Sequence, residues 1–120
     1  MKINFRGQDL ELHYSLRLFI IYENIIGQGL DVSKDINSFT SILTLFYSAI
    51  VATLQYNKME LDVTYDEFID WLDDGAADKI KEFSEWFIKN LAVQSELTDY
   101  NLNKETKTEK LTDKKISSKK

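Results

Sequence analysis

The sequence predicts a mainly α-helical fold with a small N-terminal β-hairpin, an α+β domain built as a compact bundle of about four helices. Three observations support it. Residues 37–57 form a long uncharged stretch with helical apolar spacing, residues 2–13 alternate polar and apolar side chains, and most later segments up to residue 92 repeat apolar positions at steps of three and four. A chain of 120 residues can bury such a core without a stabilising cofactor, and we expect none.

The first element is a predicted hairpin over Lys2 to His13, interrupted at Arg6-Gly7-Gln8. Its apolar side chains fall on one face of the two strands: Ile3, Phe5, Leu10 and Leu12. An isolated two-stranded hairpin is marginally stable in water. We therefore expect this face to pack against the helices.

Ser15 begins a helical pattern that Gly27 and Gly29 end, because glycine readily adopts the left-handed conformation that follows a helix. The positions that recur at helical intervals are Leu16, Phe19, Ile20, Glu23 and Ile26. The two glycines follow a helix and lack the lysine of a phosphate-binding loop, so we interpret them as a turn. Residues 30–36 are expected to form a loop, with Asn37 or Ser38 as the cap of the next helix.

Residues 37–57 are interpreted as a central helix that is covered on most sides. Its apolar positions at steps of three and four are Phe39, Ile42, Leu43, Phe46, Ile50 and Leu54, and Leu45, Ala49, Val51 and Ala52 widen that surface. A membrane span needs roughly 18 or more apolar residues, whereas threonine and serine interrupt this stretch. A buried strand usually ends after roughly 4 to 8 residues. We expect a core helix and no membrane partner.

Thr64 and Glu67 match a capping box, in which each side chain accepts a hydrogen bond from a free backbone N–H at the start of a helix. The apolar face of this short helix comprises Phe68, Ile69 and Leu72, and Gly75 is its expected end. A last helix is predicted from about Ala76 to Ala92. Its inward side chains are expected to be Ile80, Phe83, Phe87, Ile88 and Leu91.

The charge distribution divides the chain into two predicted regions. Residues 1–92, expected to form one helical domain, carry a net charge of −7, and residues 93–120, expected to be a disordered charged tail, carry +2. Nucleic-acid binding needs a basic face, so no nucleic-acid partner is expected. The start of the chain lacks the apolar core of a signal peptide, which favours a cytoplasmic location.

The side chains that most enzymes and metal sites require are scarce. The chain has no cysteine, which excludes disulfides, zinc-thiolate sites and cysteine nucleophiles. The single histidine, His13, cannot form a multi-histidine metal site, and its expected place is an exposed junction between strand and helix. No catalytic constellation is recognisable, and we predict a protein that is not an enzyme.

An acidic segment, residues 62–85, is the most prominent polar feature. Asp66, Asp70 and Asp74 follow helical spacing, which could bind a divalent cation or dock a basic partner. A calcium loop starting at Asp70 fails, because Leu72 and Lys81 occupy ligand positions. We expect a solvated acidic face with no metal, and docking of a basic partner remains open.

Several aromatic residues fall outside the predicted apolar faces, namely Tyr22, Tyr47, Tyr56, Trp71 and Trp86. They either complete the core of a small domain or form an exposed patch for a partner. Aromatic anchors beside carboxylates suit a segment that is partly apolar and partly basic. The candidate partner-binding residues are therefore Tyr47, Tyr56, Asp66, Asp70, Trp71 and Asp74.

The order of elements from Lys2 to Ala92 resembles the small tail assembly chaperones of long-tailed (siphovirus-type) bacteriophages. The resemblance lies in the N-terminal hairpin, a first helix with Glu23 shortly before Gly27, the central helix, and the segment Thr64 to Asp74, TYDEFIDWLDD. It implies a non-enzymatic protein that binds the tape-measure protein and keeps it soluble until tail tube subunits polymerise. It also implies a longer frameshifted product whose extension recruits the tail tube protein.

Another class of function fits the same acidic face. A small phage or bacterial regulator could occupy a basic surface of a partner such as a DNA-binding protein. A homo-oligomer is also compatible with the sequence. Loss of binding on charge reversal, but not on truncation of aromatic side chains, would favour the regulator.

Overall fold

A computed structural model describes residues 1–60 and 62–93. The elements in chain order are β1 (Lys2–Phe5), β2 (Gln8–Glu11), α1 (Leu16–Ile26), α2 (Val32–Asp35), α3 (Phe39–Tyr56) and α4 (Tyr65–Trp71). A π-helical turn, Leu72–Ala76, follows α4, and residues 78–93 form a further helix, α5. The predicted fold class, mainly α with an N-terminal hairpin, is confirmed.

The chain divides into two units, residues 1–88 and residues 89–120. The hairpin, α1 to α4 and most of α5 belong to the first unit, which contains the surfaces discussed below. The predicted charged tail, 93–120, lies outside the described residues except for its first position. That tail and the predicted boundary at residue 92 stay predictions.

The hairpin pairs β1 and β2 in antiparallel register, with Ile3 opposite Leu10. Arg6 and Gly7 form its turn with φ values of 53° and 85°, the left-handed geometry of a two-residue turn, so Gln8 belongs to β2 and not to the turn. The predicted apolar face is buried: Ile3, Phe5, Leu10 and Leu12. Packing of this face against the rest of the domain provides the stabilisation that an isolated hairpin lacks.

Helix α1 has the predicted ends but not the expected buried side. Ser15 Oγ accepts a hydrogen bond from the Leu18 N–H, and Gly27 closes the helix with φ 90°. Leu18 and Tyr22 are fully buried, whereas Leu16 and Ile20 are 78% and 58% exposed. Both pairs have helical spacing, and packing against α3 selects the side with Leu18 and Tyr22.

The predicted loop, 30–36, contains one helical turn, α2, so this part of the prediction was wrong. The Asp35 carboxylate stabilises the turn, because its Oδ2 accepts hydrogen bonds from the Asp31 N–H at 2.9 Å and from the Tyr22 hydroxyl at 3.2 Å. The second bond ties α2 to α1. Ser38, one of the two predicted caps, accepts from the Ser41 N–H at the start of α3.

Helix α3 lies at the centre of the fold. Leu45, Phe46, Ala49 and Ile50 are fully buried, while Phe39, expected on the apolar face, is 65% exposed because it lies in the first turn. Three side-chain hydroxyls on the buried side of α3 belong to Thr44, Ser48 and Thr53. Each donates a hydrogen bond to the backbone carbonyl of the residue four positions earlier. Helix α3 is long and apolar enough to cross a membrane, but the core helices of soluble proteins meet the same criterion. In this structure 56% of α3 is buried within the protein.

The segment after α3 begins as predicted and then bends. The capping box is present, with Thr64 N–H donating to Glu67 Oε1 at 2.9 Å and Glu67 N–H donating to Thr64 Oγ1 at 3.1 Å. The π-helical turn makes α5 start at residue 78, two positions later than expected. Phe83 and Phe87 are buried as predicted, whereas Ile88 is 42% exposed and does not join the core.

Candidate protein-binding surfaces

Two of the candidate aromatic residues have structural contacts of their own, Tyr47 with the acidic segment and Tyr56 with His13. The Tyr47 hydroxyl donates to the Val63 carbonyl at 2.6 Å, and burial raises the pKa of this phenol. Tyr56 is 62% exposed near the end of α3, with its ring centroid 3.9 Å from that of His13. His13 is therefore half-buried and not an exposed junction residue. Neither tyrosine lines a depression next to Trp71.

The Trp71 indole occupies a fixed position between the hairpin and the core. Its ring meets Phe5 edge-on at a centroid distance of 5.0 Å and Phe46 at 5.9 Å. Its Nε1–H donates to the backbone carbonyl of Asn4 at 3.1 Å. Because three groups hold the half-buried indole, binding of a ligand against it would cost little side-chain entropy.

Trp71 lines two adjoining depressions, which we call together the Trp71 groove. The larger, of about 890 Å³, lies between the hairpin and the start of α5 and includes Ile3, Leu10, Ala76 and Asp78 in its lining. The smaller, of about 450 Å³, is lined by Arg6, Glu67, Asp70, Trp71 and Asp74. Trp71 and Asp74 line both, so the two depressions adjoin at these residues.

A backbone bend shapes one wall of the groove. Asp74 leaves helical geometry with ψ 15°, and Gly75 has φ 124°, which side-chain-bearing residues rarely adopt. The bend separates α4 from α5 and leaves Asp74 and Asp78 lining the same depression. Gly75 was predicted to end α4, and its role in this wall had no sequence signal.

The groove carries uncompensated negative charge. Arg6 Nη1 lies 3.2 Å from Glu67 Oε2, and Lys79 Nζ lies 3.2 Å from Glu82 Oε1, so these two cations are already paired. In the part of the chain that the structure describes, no ion pair involves four carboxylates of the groove lining, those of Asp9, Asp70, Asp74 and Asp78, and Lys2 is the one cation of that lining outside an ion pair. A bound cation would therefore meet more free carboxylates than free cations.

Glu67 stands at the edge of the groove with a lowered pKa. The Thr64 N–H that donates to its carboxylate is the main cause, and the charge of Arg6 adds to it. Asp66, the remaining candidate residue, is exposed on α4 but lines neither depression. The structure therefore brings together Asp70, Trp71 and Asp74 and leaves out Tyr47, Tyr56 and Asp66.

A second surface, made of exposed apolar side chains, was missed by the sequence analysis. Ile25, Ile26, Val32 and Phe39 are 47%, 38%, 44% and 65% exposed, and we call them the apolar end. Arg17 near the start of α1 donates to Gln55 near the end of α3 at 3.0 Å, so the two helices run antiparallel. The end of α1, α2 and the start of α3 therefore lie at one end of the bundle.

The same helix α1 carries two further exposed apolar residues, Leu16 and Ile20, one turn apart on its outward side. With the apolar end they give six large apolar side chains on α1, α2 and the first turn of α3. The sequence analysis assigned a single apolar face to α1 and therefore missed the exposed one. The presence of apolar residues on both sides of this helix is the sequence pattern that could have indicated it.

Within residues 1–60 and 62–93, no group of three or more histidine or acidic side chains is arranged to hold a metal ion. Compared with known proteins, the chain matches no family model, no curated protein and no solved structure.

Proposed function

We propose that this chain is a non-enzymatic tail assembly chaperone that binds the tape-measure protein of a long-tailed bacteriophage and keeps it soluble until the tail tube polymerises. The observation that carries the proposal is the set of exposed apolar side chains on α1, α2 and the start of α3. The order of elements, which resembles that chaperone family, gives the partner.

The apolar end suits a long helical partner for a physical reason. Fully burying one large apolar side chain contributes about 1.5 to 3 kcal/mol, and the apolar end leaves four such side chains partly in water. An amphipathic helix presents apolar residues at steps of three and four, which can cover such a surface. A tape-measure protein, as a long helix with apolar stripes, would offer this face many times along its length.

Net charge complements this role. Residues 1–92 carry −7, and repulsion between copies bound along one chain would keep the complex dispersed in the host cytoplasm. A chaperone of this kind needs neither a cofactor nor a catalytic group. The tail tube protein would be a second partner, recruited by a longer product of the same gene.

The decisive experiment is co-expression with a tape-measure fragment, followed by sizing and mass analysis of the soluble complex. Phe39→Ser should weaken association about tenfold to a hundredfold, because it removes one large apolar side chain from the contact. Tyr56→Ser is the matched control, since Tyr56 is an equally exposed aromatic residue near the other end of α3. Its binding should be unchanged.

The proposal fails if the tape-measure fragment neither binds this protein nor gains solubility from it. It also fails if the two serine variants weaken binding equally, since the contact would then lie outside the apolar end.

A second candidate function is favoured by the free carboxylates of the Trp71 groove. A small acidic regulator would occupy a basic surface of a partner such as a DNA-binding protein. Charge reversal at Asp70 and Asp74 would then abolish binding, whereas Phe39→Ser would leave it intact. Retained binding after charge reversal would remove this candidate.

A further inference from the structure

The Trp71 groove has no part in contacts made through the apolar end, yet it has the features of a binding site. Its indole is held by Phe5, Phe46 and the Asn4 carbonyl, and this wall needs no rearrangement to receive a ligand. The larger depression, of about 890 Å³, lies within the usual size range of ligand sites. It is also open enough to admit a polypeptide side chain or segment.

The charges of the groove select the kind of ligand. An anion would meet the carboxylates of Asp70, Asp74 and Asp78, and two of the three lysine and arginine residues of the lining are already paired with glutamates, which leaves Lys2 against this excess of negative charge. A lysine or arginine side chain would instead contact carboxylates that have no ion pair, and it could also contact the indole face of Trp71, to which cations are attracted. The apolar part of the lining adds a preference for a segment that also carries apolar residues.

We propose that the Trp71 groove binds a lysine- or arginine-rich segment of a protein partner. Apolar atoms of that segment lie on Trp71, and its cations face Asp70, Asp74 and Asp78. This site is separate from the apolar end, and it does not depend on whether the partner there is a tape-measure protein.

The first test uses a short synthetic peptide in which lysine alternates with leucine, titrated into the full chain carrying Trp86→Phe. Trp71 is then the only tryptophan, so its fluorescence reports contact with the groove. Calorimetry on the unsubstituted chain provides a second measure that does not depend on the Trp86 substitution. A saturable change is expected, and binding should weaken between about 50 and about 500 mM NaCl as salt screens the carboxylates.

A peptide with glutamate in place of each lysine is the ligand control and should not bind. Equal binding of the two peptides would overturn the proposal, because the leucines alone would then account for the contact. Absence of binding by the lysine peptide in both fluorescence and calorimetry would overturn it too.

The second test places the ligand within the groove. Asp74→Asn combined with Asp78→Asn should weaken lysine-peptide binding about fivefold to tenfold, since each exposed charge pair contributes modestly. The matched control combines Asp62→Asn with Asp66→Asn, which removes the same charge from exposed residues outside the groove lining. That control should bind within about twofold of the unsubstituted protein at moderate salt, because distant exposed charges are screened.

Equal weakening in the two double variants would mean that net charge alone attracts the peptide, and would overturn the assignment of the site. Circular dichroism of all variants confirms that each retains its helices. All four substitutions affect exposed residues, so loss of folding is not expected to confuse the result.

Discussion

The apolar end and the Trp71 groove are both partly exposed, but they are built in opposite ways. Phe39 and Val32 of the apolar end are 65% and 44% exposed, so their side chains contribute little to the core. Trp71 in the groove rests on Phe5 and Phe46, which are fully buried. A surface made of residues that the core does not use can change freely, whereas the groove is fixed by the residues that hold the fold together.

The largest expected difference between the two regions comes from two phenylalanines of the same helix. Phe46→Ala should lower the free energy of unfolding by about 3 to 5 kcal/mol, because the buried ring stacks on Phe83 at 4.5 Å and supports Trp71. Phe39→Ala should change it by no more than about 0.5 kcal/mol. Urea unfolding measures both, and a similar loss for the two variants would show that Phe39 is part of the core.

The bend at Gly75 offers a test of the groove wall. Gly75→Ala should lower the free energy of unfolding by about 1 to 3 kcal/mol, since φ 124° is strained for any residue with a Cβ, even though a Cβ added here would meet no atom within 4 Å beyond its chain neighbours. Gly29→Ala is the control, because its backbone is not in that region and its nearest neighbour, Glu23 Oε2, is 3.5 Å away. Thermal unfolding compares the two, and equal stability would mean that the bend relaxes.

The caps of α4 and α3 provide a smaller contrast. Thr64→Ala removes the hydroxyl acceptor of a reciprocal capping box and should cost about 1 to 2 kcal/mol. Ser38→Ala removes a single bond of 3.3 Å at the apolar end and should cost about 0.5 to 1 kcal/mol. Chemical unfolding of both variants tests the order. The reverse order would indicate that the Thr64 box is not formed in solution.

The smallest effect is the dependence of stability on the charge of Glu67. Its pKa in the folded protein is below its ordinary value of 4.5, so the ionised carboxylate stabilises the fold above that value. This contribution is lost as the pH falls through the lowered pKa. The stability difference between the unsubstituted protein and Glu67→Gln should therefore narrow between neutral and acidic pH.

Unfolding midpoints measured across that pH range test this expectation. Arg6→Gln should retain part of the pH dependence, because the Thr64 N–H, the main cause of the lowered pKa, still donates to Glu67. A difference that stays constant or widens on acidification would contradict the lowered pKa.

Features with a local cause were predicted from the sequence, whereas the choice between two equally periodic sides of a helix was not. The Thr64 capping box and the Gly27 end of α1 depend on neighbours within a few residues, and both are confirmed. The buried side of α1 depends on packing against α3 and on the Tyr22 to Asp35 bond. Leu16 and Ile20 have the same spacing as Leu18 and Tyr22, so periodicity alone could not choose between the two sides.

The candidate site shows the same limit. Helical spacing relates Asp70 and Asp74 to each other, and both lie with Trp71 in the lining of the smaller depression. The sequence predicts that Ile3 and Leu10 pack in the core, but it does not predict that they also line the groove. Nothing near these residues in the sequence indicates that α5 begins beside them. The apolar end was missed because exposed and buried apolar side chains look alike in a sequence.

The hydrogen bond from Trp71 to Asn4 joins residues 67 positions apart. A ribosome adds about 5 to 20 residues per second, so the hairpin would wait roughly 3 to 13 seconds for this partner. A two-stranded hairpin is marginally stable alone, and its apolar face would stay open to water during that interval. The element translated first would therefore be among the last to reach its final environment, and slower codons between Asn4 and Trp71 would lengthen its exposure.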